Sequence, residues 1–211
     1  MTVIPSQATP VVFVVDDDVS VRDALKLLIR CTGCLVETFA SAGDFLARPP
    51  VETASCLVLD VSLPDINGLE LQERVAADRA YMPIIFITGC GDIPMTVQAM
   101  KAGAVEFFTK PFSDELLLRA IDQAIRRSQE VLAREAEMRS LRSRYLSLSR
   151  REQEVMARVC SGRLNKQIAT ELHISEITVK AHRGRVMRKM NAGSVPDLVT
   201  MATRLSHAAR P

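Results

Sequence analysis

Val11-Val12-Phe13-Val14-Val15-Asp16-Asp17-Asp18 sets five consecutive apolar residues directly before three carboxylates. A β-branched and aromatic run of this length, closed by polar residues, reads as a strand buried on both faces, and two-sided burial belongs to parallel sheets covered by helices. The pattern recurs along the chain in Leu35–Phe39, Cys56–Leu59, Pro83–Ile87 and Ala104–Phe108, each followed by a polar or helix-periodic stretch. Five such repeats predict an α/β domain with a doubly wound parallel sheet. In that architecture the chemistry sits at the carboxyl ends of the strands, near the switch in strand order. The polar residues found there are Asp16-Asp17-Asp18, Asp60, Thr88 and Lys110.

Gathering Asp16, Asp17 and Asp60 at adjacent strand ends costs free energy unless a cation neutralises them. Mg²⁺ suits the place, because it prefers oxygen ligands, retains several waters and bridges carboxylates to phosphoryl groups. A carboxylate so placed can also act as a nucleophile and form an aspartyl phosphate, with Lys110 supplying an ammonium and Thr88 a hydroxyl. Taken singly, Asp16 or Asp18 reads equally well as a loop residue or a helix N-cap.

The chain of 211 residues exceeds the usual length of one domain, and 47% hydrophobic with 25% charged residues is the balance of a globular protein. No stretch resembles a secretory leader, and no run approaches the roughly 20 apolar residues of a membrane span, so the expected location is the cytoplasm, away from membranes. Five cysteines, Cys31, Cys34, Cys56, Cys90 and Cys160, are expected to be reduced thiols of the core. Cys31 and Cys34 form a C-x-x-C that no second pair accompanies at metal-ligand spacing. Charge separates the halves. Residues 1–125 carry 9 Lys+Arg against 17 Asp+Glu, residues 126–146 carry 6 against 3, and residues 147–211 carry 12 against 5. An acidic front fits cation or regulatory chemistry and a basic back fits a polyanion, although solubility alone could also produce the asymmetry.

From Ser113 to about Arg144 the sequence holds neither Gly nor Pro. Leu117, Ile121, Ala124, Val131, Met138 and Tyr145 form an apolar stripe that Ser128, Glu135 and Arg142 interrupt. This predicts a long helix whose first part packs on the sheet and whose charged part is either an exposed spacer or a surface for a second copy. Beyond it, Ser149-Arg-Arg-Glu152 is a capping box opening a helix that Gly162 ends, followed by a short amphipathic helix over Asn165–Leu172. After a turn at His173-Ile174, Ser175 caps a helix rich in Thr, Lys, His and Arg, and Ser194-Val-Pro-Asp197 starts a last one. Two short helices about a tight turn, the second basic, are what a helix-turn-helix reader of the major groove requires, the alternative being a solvated basic face on a small bundle. Val179, Val186 and Met190, with Ile177 nearby, read as its core. His182 lacks companions at ligand spacing and reads as a surface or DNA-facing residue.

Residues 10–125 resemble the receiver domain of response regulators. The resemblance runs through Val15-Asp16-Asp17-Asp18, Leu59-Asp60-Val-Ser-Leu-Pro64-Asp-Ile-Asn-Gly68, Phe86-Ile-Thr88-Gly, Lys101-Ala-Gly103-Ala and Lys110-Pro111-Phe112. It implies a flavodoxin-like (βα)5 fold in which a sensor histidine kinase phosphorylates Asp60. It further implies that Mg²⁺ is held by Asp16, Asp17, Asp60 and the Ser62 carbonyl, and that Thr88 and Lys110 contact the phosphoryl oxygens. Phe107 falls at the family's aromatic switch, without the hydroxyl of a Tyr, and the Lys110-Pro111 peptide is implied to be cis. Asn67 is read as turn chemistry beside Gly68.

Residues 147–205 resemble the LuxR/FixJ-type effector domain through Leu148-Ser-Arg-Arg-Glu-Gln-Glu-Val155, Gly162, Asn165-Lys-Gln-Ile-Ala169 and Ile174-Ser-Glu-Ile-Thr-Val-Lys-Ala-His182. This resemblance implies base readout by Lys180, Ala181 and Gly184, with Asn165, Lys166, Thr178, Arg183, Arg185 and Arg188 near the DNA backbone. Gly184 offers no side chain, which shifts specificity toward Lys180, Arg183 and DNA shape. The expected organisation is a receiver over 1–125, a linker helix over 126–146 and an all-α helix-turn-helix domain over 147–211. The expected function is a transcriptional regulator of the FixJ-like subgroup, in the main an activator, that dimerises on DNA or when phosphorylated and works with RNA polymerase. It is not expected to be an enzyme beyond autophosphorylation from small donors and autodephosphorylation. Two rivals remain: a metal-dependent phosphotransferase acting through Asp60, and a constitutive DNA-binding protein whose front domain only dimerises.

Overall fold

The computed structural model describes residues 8–89 and 91–207. The chain divides into two compact units, Met1–Ala133 and Arg134–Pro211, and the boundary in sequence falls within one helix.

The first unit holds strands β1 (Val11–Val15), β2 (Leu35–Phe39), β3 (Ser55–Asp60), β4 (Ile84–Thr88) and β5 (Glu106–Thr109). Between them lie helices α1 (Val19–Arg30), α2 (Ala42–Ala47), α3 (Gly68–Asp78) and α4 (Ile93–Lys101), and α5 (Asp114–Leu146) follows. All strands pair in parallel, in the order β2-β1-β3-β4-β5. The doubly wound α/β sheet is thus as expected. Alternate residues of β1 feed two cores, Val11, Phe13 and Val15 on one face and Val12 and Val14 on the other, which is why the run is apolar throughout. The edges differ: Leu35 is 57% exposed on β2, and β5 is only partly covered. β5 also begins later than the apolar run suggests. Gly103 adopts φ +95° at the end of α4, and the Ala104 N–H still donates to Ala99 O, so the chain turns into the sheet only beyond them.

α5 runs for 33 residues, about 50 Å at 1.5 Å per residue. Leu117, Ile121 and Ala124 are buried against the sheet as expected. Ser128, read as a break in the stripe, belongs to it: fully buried, its Oγ accepts the Ser55 N–H at 3.0 Å and satisfies the backbone where β3 begins.

The second unit comprises the end of α5 with α6 (Arg150–Cys160), α7 (Asn165–Leu172), α8 (Glu176–Met190) and α9 (Val195–His207). The capping box is present. Ser149 Oγ accepts the Glu152 N–H, and Glu152 returns a carboxylate oxygen to the Ser149 N–H at 2.9 Å. Gly162 (φ +79°) and His173 (φ 53°) turn the chain after α6 and α7. Ser175 caps α8 through the Thr178 N–H, and Ser194 Oγ accepts the Asp197 N–H.

Two expectations need correction. Val179, Val186 and Met190 are buried, but Ile177 is 80% exposed; two residues before Val179, it points about 200° away around the helix. Of the cysteines, only Cys56 is buried, Cys34 and Cys160 are half-buried, Cys31 is exposed just beyond α1, and Cys90 lies outside the described residues. The turn chemistry expected of Asn67 is present as a side-chain bond to the backbone two residues on. Asn67 caps α3 by accepting the Leu69 N–H, and Gly68 is needed for clearance, because a Cβ there would lie 2.5 Å from Asp60 O. Among the described residues, no helix is long and apolar enough to cross a membrane.

Candidate functional site

Strand register builds the first site. Val15 pairs with Leu59, so the residues that follow, Asp16 and Asp60, stand side by side at the switch between β1 and β3. Asp60 pairs with Ile87, and Thr88 with Thr109, which brings Thr88 and Lys110 to the same end. Asp16 is fully buried and Asp60 is 5% exposed, whereas Asp17 is open to solvent. One carboxylate oxygen from each of the three lies within 4.8 Å of the others.

Lys110 closes the group. Its Nζ is 2.7 Å from Asp16 Oδ2 and 2.7 Å from Asp60 Oδ2. Its backbone N–H donates to Thr88 O at 2.7 Å, and the Lys110-Pro111 peptide is cis. Burial pulls the Lys110 ammonium down, and the hydrogen bonds to Asp16 and Asp60 more than reverse this, so it stays above its ordinary value. Burial raises Asp16 above the usual carboxylate range despite Lys110 and the Asp18 N–H. The remaining oxygens are also held: Asp16 Oδ1 accepts the Asp18 N–H, and Asp60 Oδ1 accepts the Ser62 N–H, both at 2.9 Å. Asp18 caps α1 by accepting the Ser20 N–H, as its alternative reading had it. Thr88 is fully buried beside the cluster. Phe107 is half-buried, its ring 6.0 Å from that of Phe86.

Two residues of this region were not singled out from sequence. Arg22 donates to the Asp16 carbonyl oxygen at 2.6 Å. Asp65 accepts the Gly43 N–H at 2.8 Å and the Ala42 N–H at 3.3 Å, tying the loop after Asp60 to the start of α2. Burial opposes its charge, but these N–H groups outweigh it and hold the Asp65 carboxyl below its ordinary range. Neither contact has a sequence signal, since both depend on folding.

The second unit presents a basic face. Thr178, Lys180, Ala181, Gly184, Arg185 and Arg188 are exposed on α8, and Lys166 is exposed on α7. Several other cations of this unit are matched by carboxylates, as in Arg158 with Glu171 and Lys189 with Glu152. Lys166, Lys180, Arg185 and Arg188 have no carboxylate partner among the described residues. Asn165 and Arg183 meet across α7 and α8, with Arg183 Nη1 2.6 Å from Asn165 Oδ1. His182 is half-buried, with its Nδ1 enclosed, rather than lying on the surface.

Comparison with known proteins assigns both units. The family described as "Response regulator receiver domain" matches residues 12–122, and "Bacterial regulatory proteins, luxR family" matches residues 146–202. Nodulation protein W of Bradyrhizobium diazoefficiens is 48% identical over 199 residues, covering 94% of this chain and 88% of its own length. Response regulator protein TodT of Pseudomonas putida is 46% identical over 200 residues, covering 95% and 88%. Among solved structures, that of response regulator StyR superposes with a TM-score of 0.86 at 47% identity, covering 93% of this chain and all of that one. Full-length FixJ from B. japonicum gives 0.55 at 40% identity, covering 93% and 97%.

Proposed function

The chain belongs to the two-component response regulators that join a receiver domain to a LuxR-type DNA-binding domain, and on that premise we propose that Asp60 is its phosphoacceptor. It is a DNA-binding transcriptional regulator. The single observation that carries the assignment of Asp60 is the ammonium of Lys110 at 2.7 Å from both Asp16 and Asp60, with an Asp17 oxygen in the same cluster.

In the proposed reaction a carboxylate oxygen of Asp60 attacks the phosphorus of a phosphohistidine on the sensor kinase. A P–O bond forms, the P–N bond breaks, and its electron pair stays on the imidazole. The clustered carboxylate oxygens of Asp16, Asp17 and Asp60 fit Mg²⁺, which these three residues would hold together with the Ser62 carbonyl. When bound there, Mg²⁺ would offset negative charge at the phosphoryl group. Lys110 moves from the Asp60 carboxylate to a phosphoryl oxygen, and Thr88 donates its hydroxyl to another. That shift draws Phe107 inward and remodels the surface of α4, β5 and α5.

The consequence is release or pairing of the basic domain. Two copies bind adjacent half-sites about one helical turn apart. Lys180, Ala181 and Gly184 face the bases, while Asn165, Lys166, Thr178, Arg183, Arg185 and Arg188 meet the backbone. The division into residues 1–125, 126–146 and 147–211, action as a cytoplasmic activator together with RNA polymerase, and turnover limited to autophosphorylation and autodephosphorylation complete the reading.

Acetyl phosphate with Mg²⁺ tests it. Intact-mass measurement is expected to show one phosphoryl group per chain, absent without Mg²⁺ and absent in Asp60→Asn. Repeated turnover of simple phosphate esters would instead favour a phosphotransferase.

A further inference from the structure

Ile177 is 80% exposed at the start of α8, although its residue type suggests a core position. A single exposed Ile on a protein surface needs no explanation. This one has a distinctive setting. Residues 177, 180, 181, 184 and 188 follow helical spacing and share one face of α8, opposite the buried Val179, Val186 and Met190. Ile177 therefore continues the stripe of Lys180 and Ala181, and Lys180 and Arg188 on that stripe have no carboxylate partner among the described residues.

Further along the same face, Gly184 leaves a gap. A Cβ there would meet nothing within 4 Å, so no packing requirement excludes a side chain. Side-chain discrimination on this face is thus concentrated in the first turns, at 177, 180 and 181, which are also the turns that a recognition helix presents to base edges. Among base edges in the major groove, only the thymine 5-methyl group offers an apolar contact. We propose that Ile177, with Ala181 beside it, reads the 5-methyl group of a thymine in each half-site, making it a specificity residue of DNA recognition. The inference rests on the reading of α8 as the DNA-binding face.

The test uses the full-length phosphorylated protein and duplexes that it selects from a randomised pool. Each thymine in a selected duplex is then replaced by uracil, which removes only the methyl group. At one position per half-site the wild type is expected to bind the uracil duplex about fourfold more weakly, the worth of one buried methyl-sized group. Ile177→Ala is expected to lose a similar factor on the thymine duplex and to be indifferent to the replacement, while Ile177→Val retains most of the discrimination. Thermal melting of Ile177→Ala should match the wild type, since the side chain is exposed. Uracil tolerated at every position, or equal sensitivity in Ile177→Ala, would overturn the inference while leaving the DNA-binding face intact. Failure to select any duplex would overturn the inference and the reading on which it rests.

Discussion

Gly68 shows how much one missing atom can matter. A Cβ at this position would lie 2.5 Å from the Asp60 carbonyl oxygen and 2.9 Å from Val61 Cα, both backbone atoms that cannot rotate away. Gly68→Ala therefore has to displace the end of β3 that carries Asp60. An overpacking cost of about 1–3 kcal/mol is expected, read as a lower denaturation midpoint together with slower phosphoryl incorporation. A normal incorporation rate at reduced stability would show that the displacement does not reach the carboxylate. Asp16 and Asp60 are legible in the sequence because each directly follows an apolar run, with Asp17 adjoining Asp16, and parallel register then sets the two strand ends side by side. Asp65 was not legible. Its partners, the N–H groups of Ala42 and Gly43, lie more than twenty residues away and on another element.

At the scale of elements, the interior of α5 and the entry to α6 make separate predictions. The Ser128 Oγ accepts the N–H of Ser55 where neither is accessible to water. Ser128→Ala leaves that donor unsatisfied, and a loss of about 1–3 kcal/mol is expected in chemical denaturation; an unchanged midpoint would show that the backbone finds another acceptor. In α6, the hydrogen bond from Lys189 and the Ser149 N–H hold the Glu152 carboxyl below its ordinary value of 4.5. The folded state thus favours the ionised form more than the unfolded chain does. This contribution is present above the unfolded pKa and is lost as pH falls through the lower folded one. Acid unfolding of the second unit should therefore steepen below about pH 4.5, and Glu152→Gln should flatten that part of the curve. Equal acid sensitivity in the two proteins would exclude Glu152 as its source.

Element types were largely readable, because strand runs, caps and the absence of Gly and Pro from 113 to 144 are local signals. Residue type alone misplaces Ser128, Ile177 and Cys31, because their burial follows from the helix face or element end on which they sit. Ser128 is polar and inside, and Ile177 is apolar and outside. Periodicity taken through Val179, Val186 and Met190 would have set Ile177 on the outer face.

For the whole molecule, the acidic first part and basic last part correspond to the two compact units, one offering a carboxylate cluster and the other exposed cations without acidic partners. Binding through such cations releases counterions from DNA, so affinity should fall linearly with the logarithm of salt concentration. Lys166→Ala and Arg188→Ala should each make that slope shallower, with little change in sequence preference; an unchanged slope would remove these residues from the phosphate contacts. The central claim joins the units: charge added at Asp60 in the first controls DNA binding by the second. The most direct measurement is fluorescence anisotropy of a selected duplex titrated with the full-length protein, with and without acetyl phosphate and Mg²⁺, for the wild type and Asp60→Asn. The account predicts that phosphodonor tightens binding by the wild type and leaves Asp60→Asn at the unphosphorylated level. Equal affinities in all four titrations would contradict it.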